Sequence, residues 1–224
     1  MISNKKKIFF KGSYFPPGDK SISHRIIILG SQAVGKSIVT NLLEGEDVLN
    51  TIKVMCELGA NIKKKDNKFI IYGLPPGSLF QPKKKLDFGN SGTGIRLIAG
   101  LVSSNNIDAV LIGDKSLNSR PMKRVTEHLS RIGSIIKLKN NFYPPINIKG
   151  VGNAIPLNFE IKIPSAQIKS SIILSSLNTN GLVKIKEFRS TRDHTENMLK
   201  SMGYNIKVKH DENYRYIELK NDRL

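Results

Sequence analysis

A threefold internal repeat constrains the fold of this chain more than any other feature of its sequence. Each repeat opens with a tip rich in Ser, Thr and Gly, which leads into an apolar run with one early basic residue. The three tips are residues 18–25, 89–96 and 164–169. A short strand, an amphipathic stretch that ends in glycine, and a hairpin follow each tip in the same order. This regularity predicts three copies of one structural unit.

The first apolar run of each unit is predicted to be a buried helix. Isoleucine dominates residues 26–29 and 172–174, and this composition alone favours strand. However, a Ser or Thr just before each run can cap a first helical turn, and an apolar run this continuous indicates burial on every side. The later amphipathic stretches end at Gly59, Gly133 and Gly203, which suit helix C-caps. Each unit is therefore predicted to have the order βαβαββ.

Three such units predict an α/β fold with buried helices inside and sheets outside. The units are expected over residues 16–80, 84–150 and 155–224, arranged around a pseudo-threefold axis. Pro and Gly breaks separate them at residues 74–82 and 143–145. No apolar stretch is long enough to cross a bilayer, and the Lys-rich N terminus lacks the apolar core of a signal peptide. We therefore expect a cytoplasmic protein.

The cysteine and histidine content does not indicate a metal or redox site. Cys56 is the single cysteine, lies in a predicted helix, and is expected to be a small core residue. The four histidines show no spacing typical of zinc ligands. No metal is therefore expected.

The chain is strongly basic, with 36 Lys and Arg against 18 Asp and Glu and a formal net charge of +18. An anionic partner must therefore be considered. Much of the charge lies in lysine runs at residues 5–7, 63–65 and 83–85, which are typical of solvated surface. The aromatic residues form no exposed stacking pattern of the kind that single-stranded nucleic acid needs. We therefore do not expect nucleic acid to be the partner.

The three tips are the best candidates for an anion site, because their basic and hydroxyl groups would converge. A helix N-terminus offers unpaired amides and a positive dipole end, each worth about 0.3 to 1 kcal/mol to an anion. Any one tip could merely cap its own helix, but three tips around one point predict a phosphate or carboxylate site. The hydroxyl donors are Ser21, Ser23, Ser91, Thr93 and Ser165, and the charges belong to Lys20, Arg25, Arg96 and Lys169.

Six ordered motifs resemble those of the 5-enolpyruvylshikimate-3-phosphate synthase family, and together they span nearly the whole chain. The first motif contains the sequence Asp-Lys-Ser-Ile-Ser-His-Arg, which resembles that of the bacterial second class of the family. The motifs are GDKSISHR at 18–25, LEGEDV at 43–48, Gly89-Asn90-Ser91-Gly92-Thr93, SRPM at 119–122, SAQIKS at 165–170 and TRDHTE at 191–196.

The resemblance implies transfer of the enolpyruvyl group of phosphoenolpyruvate to the 5-hydroxyl of shikimate 3-phosphate, a step of aromatic amino-acid biosynthesis in the shikimate pathway. It implies no metal or organic cofactor. Lys20 is implied to contact both substrates and to be the catalytic residue, while Asp19 and Asp47 are expected to cap helices or join units. The implied contacts of shikimate 3-phosphate are Ser21, Arg25, Ser165, Ala166, Gln167, Thr191 and Arg192. Those of phosphoenolpyruvate are Gly92, Arg120 and Gln167. Further positions in the motifs are Ser23, Asn90, Ser91, Thr93, Arg96 and Lys169.

The chain departs from the family pattern in two respects. Ala166 stands where many relatives have a second serine, which removes one hydroxyl donor. The family also has six units in two domains, whereas residues 16–224 predict three. Residues 1–15 are expected to form a strand of the second domain, which would also supply the acidic residues for proton transfer. The resemblance thus implies one half of the enzyme, with a separate C-terminal half as a candidate partner.

The sequence is compatible with three functions. The chain can be the substrate-binding half of the enzyme, active only when the other half completes it. It can instead be a non-catalytic binder of shikimate 3-phosphate or a similar anion. A third alternative is RNA binding, because related repeat units occur in RNA-processing folds and the charge permits it. The ordered motifs favour the first two.

Overall fold

The structure is a computed structural model that describes residues 11–221. The first unit comprises α1 (Lys20–Gly30), β1 (Gly35–Thr40), α2 (Glu46–Glu57), β2 (Asn61–Lys65) and β3 (Lys68–Gly73). The second comprises β4 (Leu86–Asp87), α3 (Gly92–Ser103), β5 (Asp108–Ile112), a 3₁₀ turn (Leu117–Ser119), α4 (Lys123–Ser130), β6 (Ile135–Lys139) and β7 (Tyr143–Lys149). The third comprises β8 (Asn158–Ile161), α5 (Ala166–Ser176), β9 (Gly181–Phe188), α6 (His194–Ser201), β10 (Ile206–His210) and β11 (Tyr214–Asn221).

The predicted βαβαββ order is confirmed in the second and third units. Their sheets have four strands each, in the orders β4-β5-β7-β6 and β8-β9-β11-β10. In both sheets the first strand runs parallel to the second, and the other neighbours are antiparallel. The first unit has a three-stranded sheet, β1-β3-β2. The strand expected over residues 1–15 lies largely outside the described residues, and residues 11–15 form no strand.

The first helix of each unit is buried, as predicted, despite its β-branched composition. Ile27, Ile98 and Ile172 are fully buried in α1, α3 and α5, and the three helices share one hydrophobic core. The close approach of α3 and α5 depends on Gly100, because a Cβ there would lie 2.2 Å from the carbonyl oxygen of Ser171. Burial on every side therefore overrides the strand propensity of these runs.

The second helix of each unit packs through one apolar face, and the expected glycine follows it within three residues. In α2 the buried face carries Val48 and Met55, with Leu58 just after the helix. The glycines after α2, α4 and α6 have φ values of +100°, +105° and +83°, in the left-handed region that favours glycine. Gly59 and Gly203 directly follow the C-cap residues of α2 and α6, as predicted, whereas Gly133 lies two positions beyond Arg131, the C-cap of α4.

Two expectations about local structure are wrong. Cys56 is exposed, because it follows the buried Met55 by one position and so turns away from the apolar face of α2. Residues 143–145 are not a break between units but the first part of β7. Pro144 and Pro145 are tolerated there because β5 pairs only with the later residues of β7, and because the register with β6 shifts between Leu138 and Lys139.

Within residues 11–221, no helix combines the length and the apolar character needed to cross a membrane.

Candidate active site

The N-terminal ends of α1, α3 and α5 meet at one face of the domain. Gln167, in the first turn of α5, donates from Nε2 to the Oγ1 of Thr93 at 3.0 Å and accepts from Arg96 at 3.2 Å. Arg192, in the loop before α6, donates to the Oγ of Ser21 in α1 at 3.1 Å. We call the surface formed by these first turns the convergent face. Side chains of the second and third tips are therefore in direct contact, and the first tip is joined to α5 through the hydrogen bond from Arg25 to Ser170.

Each of the three helices is capped by the side chain just before it. The Asp19 carboxylate accepts from Ile22 N at 2.8 Å, Ser91 Oγ from Gly94 N at 3.1 Å, and Ser165 Oγ from Ile168 N at 3.3 Å. Asp19 therefore has the capping role expected of it. Ser91 is fully buried in that role, whereas Ser165 and the neighbouring Ala166 and Gln167 are half-buried and reach the face.

Arg25 is buried and ties α1 to the third unit. Its Nε donates to Thr195 Oγ1 at 2.7 Å, and its terminal nitrogens donate to Ser170 Oγ at 2.8 Å and to the carbonyl oxygen of Ser21 at 2.9 Å. Burial lowers the pKa of the Arg25 guanidinium, while the Glu196 carboxylate opposes that shift. Three of its five N–H groups are thus engaged in the protein, and it adds positive charge from behind Ser21.

A second arginine, Arg120, lies over the tip of α3. It donates to both the side-chain and the backbone oxygen of Asn90, and to Ser116 Oγ at 3.3 Å. Asn90 is held in turn by the Asp114 carboxylate, to which its Nδ2 donates at 2.8 Å. The backbone N–H of Leu117 and the side chain of Asn90 lower the pKa of Asp114, so this carboxylate stays ionised below the usual range. The chain from Asp114 through Asn90 fixes the position of Arg120.

Gly92 leaves the first turn of α3 open to close approach. A Cβ at this position would lie 2.9 Å from one terminal nitrogen of Arg120 and 3.0 Å from one of Arg96. Arg96 donates to the Gly92 carbonyl at 2.9 Å and to that of Pro121 at 3.1 Å. Burial and then the charge of Arg120 lower the pKa of Arg96. Two guanidinium groups therefore flank a stretch of bare backbone.

Lys20 lies at the start of α1 and forms an ion pair with Asp47, in the first turn of α2. The Lys20 side chain is 52% exposed. Asp47 was expected only to cap a helix or join units, and the partnership with Lys20 was missed. Both residues lie in motifs quoted above, but nothing in their spacing of 27 positions indicates a contact.

Thr191 and Arg192 belong to the loop between β9 and α6. Thr191 donates from Oγ1 to the Glu187 carboxylate at 2.5 Å and accepts at its carbonyl from Arg215 at 2.8 Å. Arg192 is exposed and directed towards Ser21. The buried side chains of Glu187 and Arg215 therefore hold this loop in place, while Arg192 lies beside Ser21 at the convergent face.

Besides Ser91, which is buried as the cap of α3, two of the residues expected at the face lie elsewhere. Lys169, expected to add its charge to the third tip, is fully buried and pairs with Glu187 at 3.0 Å and Glu196 at 2.8 Å. A lysine four positions into α5 points inward here, because two carboxylates neutralise it in the core. Ser23 is also buried, and its Oγ accepts from the backbone N–H of Leu43 at 3.0 Å.

The remaining side chains that hold the site were not singled out on the sequence. Ser170 and Thr195 fix Arg25, and Glu187 joins Lys169 to Thr191. Ser170 and Thr195 fall inside the quoted motifs, whereas Glu187 lies in a strand whose pattern does not distinguish it. Within residues 11–221, no group of three or more His, Cys, Asp and Glu side chains is arranged to hold a metal ion.

Comparison with known proteins connects this geometry with one family. The family model of EPSP synthase (3-phosphoshikimate 1-carboxyvinyltransferase) matches residues 8–222. Two curated relatives carry the name 3-phosphoshikimate 1-carboxyvinyltransferase. The one from Zymomonas mobilis is 44% identical over 209 residues, which cover 93% of this chain and 46% of the relative. The one from Paramagnetospirillum magneticum is 43% identical over 208 residues, which cover 92% of this chain and 47% of the relative.

The fold agrees with the sequence matches. A solved structure of EPSP synthase from Acinetobacter baumannii superimposes with a TM-score of 0.86 at 39% identity, covering 94% of this chain and 47% of that one. This chain therefore spans about half the length of the relatives it matches. Because the family model covers nearly all of its residues, the chain belongs to the EPSP synthase (3-phosphoshikimate 1-carboxyvinyltransferase) family.

Proposed function

We propose that this chain is the shikimate 3-phosphate-binding half of an enolpyruvyl transferase. The complete reaction would join the enolpyruvyl group of phosphoenolpyruvate to the 5-hydroxyl of shikimate 3-phosphate and release inorganic phosphate. The observation that supports this most strongly is the convergent face, where Gln167 of the third tip bonds to Thr93 and Arg96 of the second, and where Arg25 of the first tip bonds to Ser170 of α5. The relatives' names refer to the same substrate.

In this proposal shikimate 3-phosphate binds between the first turns of α1 and α5. Ser21, Ser165 and Gln167 would donate to it, while Arg192 would add an exposed guanidinium. Donors at helix N-termini and arginine forks suit a phosphate dianion. Thr191 would complete the edge of the site from its loop. Ala166 and Arg25 belong to the same site, and Arg25 acts mainly by charge because its N–H groups are largely engaged.

Phosphoenolpyruvate would bind beside the first turn of α3. The missing side chain of Gly92 leaves room for the guanidinium groups of Arg120 and Arg96, and the position of Arg120 is fixed through Asn90. Lys20 would lie between the two ligands, where an ammonium group can balance negative charge and move a proton. Its ion pair with Asp47 supports that role, because the carboxylate orients the ammonium group.

The domain organisation belongs to the same proposal. Residues 16–224 would form the three-unit substrate domain, and residues 1–15 would contribute a strand to the complementary half. That half, as a separate chain or as a further part of the same protein, would supply the acidic groups for proton transfer. A cytoplasmic location, expected from the sequence, would suit a metabolic enzyme with these substrates.

The basic runs give no support to the nucleic-acid alternative. The lysines at 63–65 and 83–85 are exposed on hairpins and loops, and two of them, Lys64 and Lys84, pair with Glu44 and Glu57. They do not extend the convergent face. The relatives named above carry the name of a transferase. We therefore do not propose RNA binding.

The experiment that tests the proposal is an assay of phosphate release with both substrates. Three mixtures are compared: the chain alone, the chain with the remaining half of the Zymomonas mobilis relative, and the same pair with Lys20→Met. We expect turnover only in the second mixture, since catalysis needs groups on both sides of a closed cleft. Turnover by the chain alone, after removal of contaminating host enzyme, would show that this half already has a complete active site.

A further inference from the structure

The loop between β9 and α6 is held from inside the domain at one residue, Thr191. Its Oγ1 donates to Oε1 of Glu187 at 2.5 Å, and its backbone nitrogen lies 3.5 Å from the other oxygen of the same carboxylate. Its carbonyl oxygen accepts from Arg215 at 2.8 Å. The polar groups of Thr191 are therefore engaged by two buried charged residues. The next residue is Arg192, so these contacts also determine where its side chain can lie.

The backbone of this loop is not in a conformation that its residues favour on their own. Arg189 has a φ of +56°, in the left-handed region that residues other than glycine seldom adopt. Such a conformation persists where the surrounding contacts enforce it. The backbone N–H of Arg189 donates to the carbonyl oxygen of Asn213 at 2.8 Å, and the contacts of Thr191 fix the chain two residues later. The path of the loop therefore depends on these contacts.

Glu187 connects this loop with α5. It belongs to β9, and its Oε2 accepts from the Nζ of Lys169, in α5, at 3.0 Å. Both side chains are fully buried. The first turn of α5 carries Gln167 and the loop carries Arg192, two of the residues that we propose bind shikimate 3-phosphate. One buried carboxylate therefore links two elements that approach the same ligand.

The charge of Glu187 does not itself favour an anion. In the buried group, Lys169 and Arg215 are balanced by Glu187 and Glu196, whose Oε1 lies 2.8 Å from the ammonium group of Lys169 and 3.7 Å from a guanidinium nitrogen of Arg215. By charge alone, a carboxylate close to an anion site weakens the binding of the anion. If Glu187 strengthens binding, it must therefore do so through the positions that it gives to other groups.

The position of Arg192 matters for a second donor, the hydroxyl group of Ser21. Arg192 donates to the Oγ of Ser21 at 3.1 Å. Because this oxygen accepts from the arginine, the hydroxyl hydrogen of Ser21 stays available to an anion. A displacement of Arg192 would therefore disturb two ligand donors at once, the guanidinium itself and the hydroxyl that it orients.

We propose that Glu187 is a positioning residue of the anion site, which holds Thr191 and thereby directs Arg192 towards Ser21. The inference rests on the proposed function, because it takes shikimate 3-phosphate as the ligand. It adds a residue that acts on this ligand from the core of the domain and through other residues. The carboxylate is suited to this role because it accepts at both oxygens, one facing Lys169 and the other Thr191.

The first test follows the loop without any ligand. Trypsin cleaves after arginine and lysine, and Arg189 and Arg192 are both exposed in the loop. In Glu187→Met we expect cleavage at these two sites to be at least about tenfold faster than in the wild type, because the loop opens more often. Cleavage after Lys115, which is exposed in another loop, is the internal control and should not change. Equal cleavage of the 189–193 loop in the two proteins would overturn the proposal.

The second test compares Glu187→Met with Glu196→Met by calorimetry with shikimate 3-phosphate. The two side chains are 0% and 1% exposed and pair with the same Lys169, but only Glu187 accepts from the hydroxyl of Thr191. Charge alone predicts tighter binding in both variants. We expect Glu187→Met to bind at least about tenfold more weakly than the wild type, and Glu196→Met to bind as tightly or more tightly. An equal loss of affinity in the two variants would indicate a general structural effect and overturn the proposal.

A milder pair of substitutions tests the same contact if the variants of the buried group do not fold. Thr191→Val keeps the shape of the side chain but removes the hydroxyl that donates to Glu187. It should weaken ligand binding and speed cleavage of the loop, and Thr191→Ser, which retains the hydroxyl, should recover most of both losses. A loss of affinity in Thr191→Val with unchanged cleavage would mean that Thr191 acts on the ligand directly, and would overturn the proposal.

The positioning role and the proposed function fail in different ways. A folded wild-type chain that does not bind shikimate 3-phosphate would contradict the proposed function, while the cleavage rates would still decide whether Glu187 holds the loop. Binding of shikimate 3-phosphate with the same affinity by the wild type and by Glu187→Met would reject the positioning role and leave the function in place.

Discussion

The ammonium group of Lys20 and the carboxylate of Asp47 form an ion pair that joins the first turn of α1 to the first turn of α2. The pair therefore fixes the position of Lys20, the lysine that we propose contacts both substrates. An ion pair between partly exposed groups adds little to stability, about 0 to 1 kcal/mol. Its main effect is therefore on where the ammonium group lies.

This relationship predicts different outcomes for binding and for turnover. Asp47→Asn removes a negative charge near the anion site, so shikimate 3-phosphate should bind the chain as tightly as before or more tightly. Turnover with the complementary half should fall by about tenfold or more, because Lys20 loses the group that orients it. Calorimetry and phosphate release measure the two effects separately. A parallel loss of ligand affinity would indicate that Asp47 contacts the ligand itself.

Arg192 and Arg25 should differ in how they support ligand binding. Arg192→Ala removes an exposed guanidinium with one hydrogen bond to Ser21, so affinity for shikimate 3-phosphate should fall by roughly 10- to 100-fold with little change in melting temperature. Arg25→Ala should lower both the affinity for shikimate 3-phosphate and the melting temperature, because Thr195 and Ser170 lose their buried donor.

Lys63→Ala is the control that removes the same charge from an exposed strand. It should leave both affinity and melting temperature nearly unchanged, since a solvated charge is screened within about 8 to 10 Å. Comparable losses of affinity for Lys63→Ala and Arg192→Ala would instead indicate a diffuse basic surface.

The buried group of Lys169, Glu187 and Glu196 should be essential for stability. Lys169→Met leaves the buried Glu187 carboxylate without a cation and leaves Glu196 with Arg215 alone, and this should lower the unfolding free energy by about 3 to 5 kcal/mol. Lys169→Met combined with Glu187→Gln and Glu196→Gln should recover part of the loss, because the buried carboxylates are then neutral while Arg215 keeps its ion pair with Asp193. Urea denaturation measures both variants. If the Lys169→Met variant is as stable as the wild type, the two carboxylates must find other partners.

His24 predicts how stability depends on pH. It is fully buried, its Nδ1 lies 2.8 Å from Thr51 Oγ1, and burial lowers its pKa from 6.5 to about 4. Between these values the unfolded state binds a proton that the folded state does not, so stability must fall as the pH decreases. The loss should begin below about pH 6.5 and approach about 3 kcal/mol near pH 4.

The contribution of His24 is isolated by comparing variants across this range. His24→Gln should show a shallower decline than the wild type between pH 6.5 and 4, whereas His210→Gln, on the exposed end of β10, should show the same decline as the wild type. Parallel curves for His24→Gln and the wild type would mean that His24 does not remain neutral in the folded protein.

The sequence predicted the unit and its repetition because these depend on local signals. Helix capping, amphipathic spacing and the three closing glycines are short-range features, and the buried helices followed once continuous burial was weighed against β-branched propensity. The two local errors have equally local causes. One position of helical rotation exposes Cys56, and the prolines of β7 lie where the strand has no partner on one side.

The site was predicted in its composition but not in its contacts. The tips converge as expected, yet the sequence could not show that Lys169 turns into the core or that Arg25 is largely engaged by Ser170 and Thr195. These outcomes depend on which helix face meets a partner from another unit. Contacts between residues more than a hundred positions apart, such as that of Arg25 with Thr195, leave no signal in the spacing of one chain.

The central claim is that this half alone binds shikimate 3-phosphate, and titration calorimetry of the isolated chain with each substrate tests it most directly. Most of the donors placed on the phosphate, including Ser21, Gln167 and Arg192, lie on this chain. Hydrogen bonds to charged groups are worth about 1.5 to 3 kcal/mol each, so shikimate 3-phosphate should bind at least about tenfold more tightly than phosphoenolpyruvate. Equal affinity for the two ligands, or no binding of shikimate 3-phosphate by the folded chain, would contradict the claim.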